Sequence, residues 1–95
     1  MIKNDFAEQL RAQADAWRAQ LKDYQQQAEQ ASDKARADYK AAVAQLEKQS
    51  EEARKLLEKV QAANEAAWSD MRSASQKALV ELQRGWEDAL SRFNK

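Results

Sequence analysis

Ala28-Glu29-Gln30-Ala31-Ser32-Asp33-Lys34-Ala35 decides the fold of this chain, because a helix either stops there or runs on. Ser32 and Asp33 are residue types that cap helix N-termini. No Gly or Pro stands before them to end a preceding helix, and Ala28, Ala31 and Ala35 stay on one helical face. The same ambiguity recurs at Gln49-Ser50-Glu51 and at Asn64-Glu65. At each place a cap residue invites a turn while the hydrophobic phase continues unbroken. Ser73-Ala74-Ser75-Gln76 formally matches a capping box, yet Ala74 and Ala78 carry the face onward there too.

Outward from that stretch, apolar residues recur every three or four positions in both directions. Toward the N-terminus the stripe passes Tyr24, Leu21, Trp17, Ala14 and Leu10 to Phe6. Toward the C-terminus it takes Tyr39, Val43, Leu46, Ser50, Ala53, Leu57, Val60, Asn64, Ala67 and Met71. It ends through Ala74, Ala78, Leu82, Trp86 and Ala89 at Phe93. The mean step is about 3.6 residues, the period of an undistorted helix. Residues 14–35 and 43–78 keep a heptad alternation of threes and fours. Successive fours between Ala31 and Val43, and again between Ala74 and Trp86, are stutters that relax a left-handed supercoil. Leu56, Leu79 and Leu90 flank the stripe and widen it beyond a two-stranded seam, which favours more than two helices around a core.

These features predict an all-α chain: one helical coiled-coil unit over residues 1–95, with a nearly continuous amphipathic helix over about 5–93. Asp5-Phe6-Ala7-Glu8 fits a capping box at its start, and Asn94-Lys95 reads as a frayed end. The alternative is an antiparallel helical hairpin or a three-helix bundle. A straight helix of this length would measure ~135 Å and leave its stripe wet, so the expected partner is the chain itself, as a homo-oligomer. The expected interface consists of Phe6, Leu10, Trp17, Leu21, Tyr24, Tyr39, Val43, Leu46, Leu57, Val60, Met71, Leu82, Trp86 and Phe93.

Composition narrows the function classes. Ninety-five residues suffice for one small domain. Charged residues make up 34% of the chain, and about a fifth is Ala, as in coiled coils and long helices. Sixteen basic and sixteen acidic residues cancel and intermix, which offers no electrostatic footprint for nucleic acid. Cys and His are both absent, so thiolate and imidazole chemistry has no donor. Glu51 and Glu52 are adjacent and diverge on a helix, so they cannot share a proton. No EF-hand-like spacing of oxygen ligands occurs. No catalytic, cofactor or metal site is expected. Met1 to Phe6 lacks the apolar segment of a signal peptide, and no apolar run approaches a membrane span, which predicts a cytoplasmic protein.

A few residues stand out from the repeat. Ser50 and Asn64 interrupt the stripe, either as buried polar residues that fix register or as rim positions facing water. Gly85 beside Trp86 either admits a neighbouring Trp ring or marks a weak last turn. The Ala-rich stretch 28–44 allows close helix approach but buries little area. Charge pairs at helical spacing, among them Arg11/Asp15 and Arg54/Glu58, support the exposed face. Trp17, Trp68 and Trp86, with Phe6, Tyr24, Tyr39 and Phe93, suit core positions. Their other use is insertion at a lipid or storage-granule surface.

Landmarks spread over most of the chain resemble a family of small bacterial coiled-coil stress-response proteins with a cyanobacterial prototype. They are Ala16-Trp17-Arg18 with Leu21, then Ala37-Asp38-Tyr39, then Ala63-Asn64-Glu65-Ala66-Ala67-Trp68. Gly85-Trp86-Glu87-Asp88-Ala89-Leu90 and Ser91-Arg92-Phe93 complete the set. This chain departs from the family's more acidic middle with Gln25-Gln26-Gln27 and many Ala. The resemblance implies an intracellular helical protein linked to stress, with no enzyme site to carry over. The expected function is therefore a non-enzymatic, structural or protein-interaction role, with a client protein or a membrane or granule surface as further partners. The alternatives are a phasin-like surface coat and a helical stress protectant that orders on crowding.

Overall fold

Gln30 is the last residue of the first helix and Asp33 the first of the second, so the chain turns within two residues. The computed structural model describes residues 2–94 and contains three helices: α1 (Lys3–Gln30), α2 (Asp33–Ala62) and α3 (Glu65–Ser91). A short 3-10 turn, Arg92–Asn94, follows α3. Lys95, the far end of the expected frayed terminus, lies outside the described residues. Successive helices run antiparallel, and α1 and α3 are therefore parallel. The long axis of the bundle is 52 Å against 18 and 15 Å across. The all-α expectation holds, and the arrangement is the three-helix bundle rather than one helix over 5–93.

Two of the three ambiguous sites are the turns. Ala31 and Ser32 are extended, at φ −69°, ψ 154° and φ −62°, ψ 160°. Ala63 and Asn64 repeat this, at φ −76°, ψ 135° and φ −78°, ψ 179°. Each turn crosses roughly 10 Å in three Cα steps, close to the ~8–10 Å between packed helix axes. No φ is positive among the described residues. A turn of this kind needs neither Gly nor Pro, so their absence did not foretell continuity. Phase carried no information either, because each helix of an antiparallel pair turns its stripe to the other whatever the phase across the turn. At Gln49-Ser50-Glu51 the helix continues. Turns at 31–32 and 63–64 divide the chain into helices of 28, 30 and 27 residues, which cover one another along nearly their full length.

The N-terminus also differs from the capping-box expectation. α1 starts at Lys3 with Ile2 as its cap residue, whose carbonyl accepts from the Phe6 N–H. Asp5 sits in the first turn, where its charge complements the helix dipole. Asp33 and Glu65 hold the same place in α2 and α3.

In α3 the buried positions are Trp68, Ser75, Leu79, Leu82, Trp86 and Ala89. They follow heptad spacing, so the stutter between Ala74 and Trp86 disappears. Ala74 is exposed and its neighbour Ser75 is buried. The Ala31-to-Val43 stutter straddles the first turn and vanishes for that reason. Leu10, Leu46, Ala53 and Val60 are fully buried in the core between the helices.

Candidate interaction surface

The three seams of the bundle differ in chemistry. Between α1 and α2 small residues come inward, with Ala7 and Ala28 buried at that groove, and Ala42 and Ala53 of α2 are buried as well. Between α1 and α3 the filling is aromatic. Phe6 meets Trp68 at 5.2 Å between ring centroids, Trp17 stacks on Trp86 at 4.7 Å, and Tyr24 meets Phe93 at 4.8 Å. Tyr39 of α2 also stacks on Phe93, at 4.6 Å. All seven aromatic residues therefore engage in ring pairs along the bundle. Burying a ring removes a large apolar area from water, and offset stacking adds to it.

The α2–α3 seam carries a polar clamp. Gln45 donates its side-chain amide to the Gly85 carbonyl at 2.9 Å. One turn on, Gln49 lies where a Cβ on Gly85 would fall, with its Nε2 only 2.4 Å away from that position. Gly85 thus admits a glutamine side chain and neither admits a Trp ring nor ends the helix, since α3 runs on to Ser91. Asn64 caps α3: its side-chain oxygen accepts from the Ala67 N–H at 2.8 Å. Ser50 stands half-buried in the α1–α2 groove beside Arg11 and Arg54. Among the described residues the buried polar position is Ser75, which the repeat passed over in favour of Ala74.

The residues expected to form an oligomer interface converge within one chain. Phe6, Leu10, Trp17, Val43, Leu46, Val60, Leu82 and Trp86 are buried there. Leu21, Tyr24, Tyr39, Leu57, Met71 and Phe93 are half-buried. Tyr24, Tyr39 and Phe93 cluster at the end of the bundle that holds the first turn. Trp68, 6% exposed, joins the buried set from beside the traced stripe.

Charge is distributed unevenly over the outside. The α2–α3 groove carries Lys48, Glu52, Lys55, Lys59 and Glu81. The α1–α2 groove carries Arg11, Asp15, Arg18, Glu47, Glu51 and Arg54. On that rim Arg54 pairs with both Glu51 and Glu58. The Arg54 hydrogen bond holds the Glu51 carboxyl below the usual glutamate value, with desolvation opposing it and the charges of Arg54 and Lys55 assisting. By contrast the α1–α3 groove is lined by Phe6, Gln9, Gln76, Leu79, Val80 and Gln83, without a charge. Gln83 donates to Gln13 across it at 3.2 Å. At helical spacing Ala16 and Gln20 continue this strip on α1, and Ser73 continues it on α3. Val80 is 46% exposed in its middle.

Among the described residues no group of three or more His, Cys, Asp or Glu is placed to hold a metal ion. No helix is long and apolar enough to cross a membrane. Comparison of the chain with protein-family models, with curated proteins and with solved structures finds no match.

Proposed function

We propose that this chain is a non-enzymatic helical module with a structural or protein-interaction role, self-associating through the uncharged α1–α3 face. The observation that carries this is the uncharged groove of Gln9, Gln76, Val80 and Gln83, with Gln13 bonded across it and Ala16, Gln20 and Ser73 following at helical spacing, in a chain that is 34% charged. Burying Gln, Ala and Ser requires no ion to be stripped of water, and protein interfaces are depleted of Lys, Glu and Asp at their centres. Glutamines can also bond to one another across a contact, as Gln13 and Gln83 do across the groove. The resemblance through Ala63-Asn64-Glu65-Ala66-Ala67-Trp68 and Gly85-Trp86 supports placing that role in a stress response.

Sedimentation velocity over a concentration series tests the reading. The wild-type chain should associate reversibly, and Val80→Glu should weaken association by at least about tenfold, since an ion must then be stripped of water in the contact. Lys55→Glu, on the α2–α3 groove, should leave it unchanged. A wild-type chain that stays monomeric throughout, or equal effects of both substitutions, overturns the proposal. A surface coat would require Trp68 and Trp86 to leave a core in which they are 6% and 4% exposed.

A further inference from the structure

The stripe crosses Ala28, Ala31, Ala35 and Tyr39 without a change of phase, although the closed bundle abandons helical geometry between them. The two turns differ in how firmly they are held. Asn64 caps α3 with its side chain, and Lys3 donates its ammonium to the Ala63 carbonyl at 2.9 Å. Ser32 makes no side-chain cap bond, and the first turn is bridged by the exposed Arg36 guanidinium, which reaches the Ala31 carbonyl at 3.3 Å and the Asp33 carboxylate at 3.3 Å. Like the second turn, the first is one rotation per residue from a helix, so the side-chain bonds are what distinguish them. The φ angles of the first turn, −69° and −62°, are already helical, so only ψ of Ala31 and Ser32 must change, from 154° and 160° to about −40°.

We propose that Ala31–Ser32 is a swap hinge through which two copies of this chain exchange α1. With the hinge helical, α1 and α2 join into one helix over residues 3–62. α1 then docks between α2 and α3 of a second copy, whose own α1 returns the exchange. The contacts of α1 with α2 and α3 are remade across the dimer, with Trp17 stacking on Trp86 of the second copy, while the α2–α3 contacts stay within each copy. The joined helix adds contacts of its own, because the in-phase stripe brings Ala28, Ala31 and Ala35 of the two copies together at the two-fold axis. The half-buried cluster of Tyr24, Tyr39 and Phe93 lies at this end and gains cover from its counterpart. Exchange of an identical element through a hinge is a low-cost route to a symmetric dimer. This dimer uses residues separate from the α1–α3 face.

The experiment is refolding from denaturant at high protein concentration, followed by gel filtration with light scattering at low concentration. Wild type should yield a dimer that persists on dilution, since return requires the bundle to open, and Ser32→Ala should raise its yield. Asp33→Pro should keep the helicity of the monomer and lose the dimer. Asp33 is the first residue of α2, where Pro is accepted, and Ser32 already has the extended backbone that a residue before Pro requires. In a joined helix the same Pro stands in the interior and breaks it. If Asp33→Pro fails to fold, Ser32→Gly replaces it and should lower the yield relative to Ser32→Ala. Absence of a dilution-resistant dimer from both wild type and Ser32→Ala overturns the proposal, as does undiminished dimer from folded Asp33→Pro. Val80→Glu should leave this dimer untouched while removing rapid association through the α1–α3 face, so the two readings fail separately.

Discussion

Trp17 of α1 and Trp86 of α3 lie with their rings 5° from parallel and 4.7 Å apart between centroids. Both are buried, at 3% and 4% exposure. The pair joins the first and last helices, which no turn connects directly. Coupling between the two rings should be about 0.5–1.5 kcal/mol beyond the area each buries. A double-mutant cycle of Trp17→Phe and Trp86→Phe, read by thermal or urea unfolding, measures it. Near-ultraviolet circular dichroism should show a coupled indole signal that either single substitution removes. Additive losses, with the signal intact in one single variant, would mean that the rings act independently.

Gly85 presents two opposed effects at one position. Ala in a helix interior is better than Gly by about 1 kcal/mol. Here the new Cβ would meet Gln49, with Nε2 at 2.4 Å and Cδ at 2.7 Å. Those atoms end a flexible side chain, so Gln49 can swing away at the loss of its packing. Gly85→Ala should therefore gain less than the full propensity term in the wild-type background. In a Gln49→Ala background it should stabilise by about 1 kcal/mol. Equal gains in both backgrounds, measured by unfolding, would refute the clamp.

The stripe made helical structure and core membership legible: Phe6, Leu10, Trp17, Leu46, Val60, Leu82 and Trp86 were traced as inward and are buried. What it could not convey was topology. A stripe buried against another chain and one buried against its own chain have the same period. The cue at Ser32 and Asn64 was a cap residue alone, equal in strength to that at Ser50, where the helix continues. Length divides them, since a turn at Ser50 would pair two long helices and leave no third to cover the widening leucines Leu56, Leu79 and Leu90. The Gly85 clamp was hidden for another reason. Its partners Gln45 and Gln49 are half-buried polar residues on the α3-facing edge of α2, which a count of apolar positions does not register. The uncharged α1–α3 face was written in Gln9, Gln13, Gln76 and Gln83, but it becomes a face only when α1 and α3 are set parallel.

Asn64 and Ser32 occupy equivalent cap positions with different consequences. Asn64 supplies a side-chain acceptor to the Ala67 N–H, while Ser32 supplies none. Asn64→Ala should therefore cost about 1 kcal/mol, the usual loss for a working cap. Ser32→Ala removes no cap bond and should leave the stability of the closed monomer within about 0.5 kcal/mol of wild type. Urea unfolding of each variant at a concentration where the chain is monomeric checks the pair. Similar losses from both would mean that Ser32 caps α2 in solution.

Glu51 and Arg54 allow a prediction in pH. The Arg54 hydrogen bond, helped by the charges of Arg54 and Lys55, lowers the Glu51 carboxyl from its ordinary 4.5. The reciprocal bond raises Arg54, which stays protonated throughout. A carboxyl whose folded value lies below its unfolded value binds its proton more readily when unfolded. Its contribution to stability is therefore full above about 4.5 and fades as pH falls through the lowered value. The effect is small because both side chains are exposed and salt screens them. Carbon-detected NMR titration should place Glu51 below the ordinary glutamate value. Arg54→Gln should return it toward that value, and by a smaller step in high salt, where screening has already removed part of the shift. A Glu51 carboxyl that titrates at its ordinary value in wild type would show that the Arg54 bridge is not held in solution.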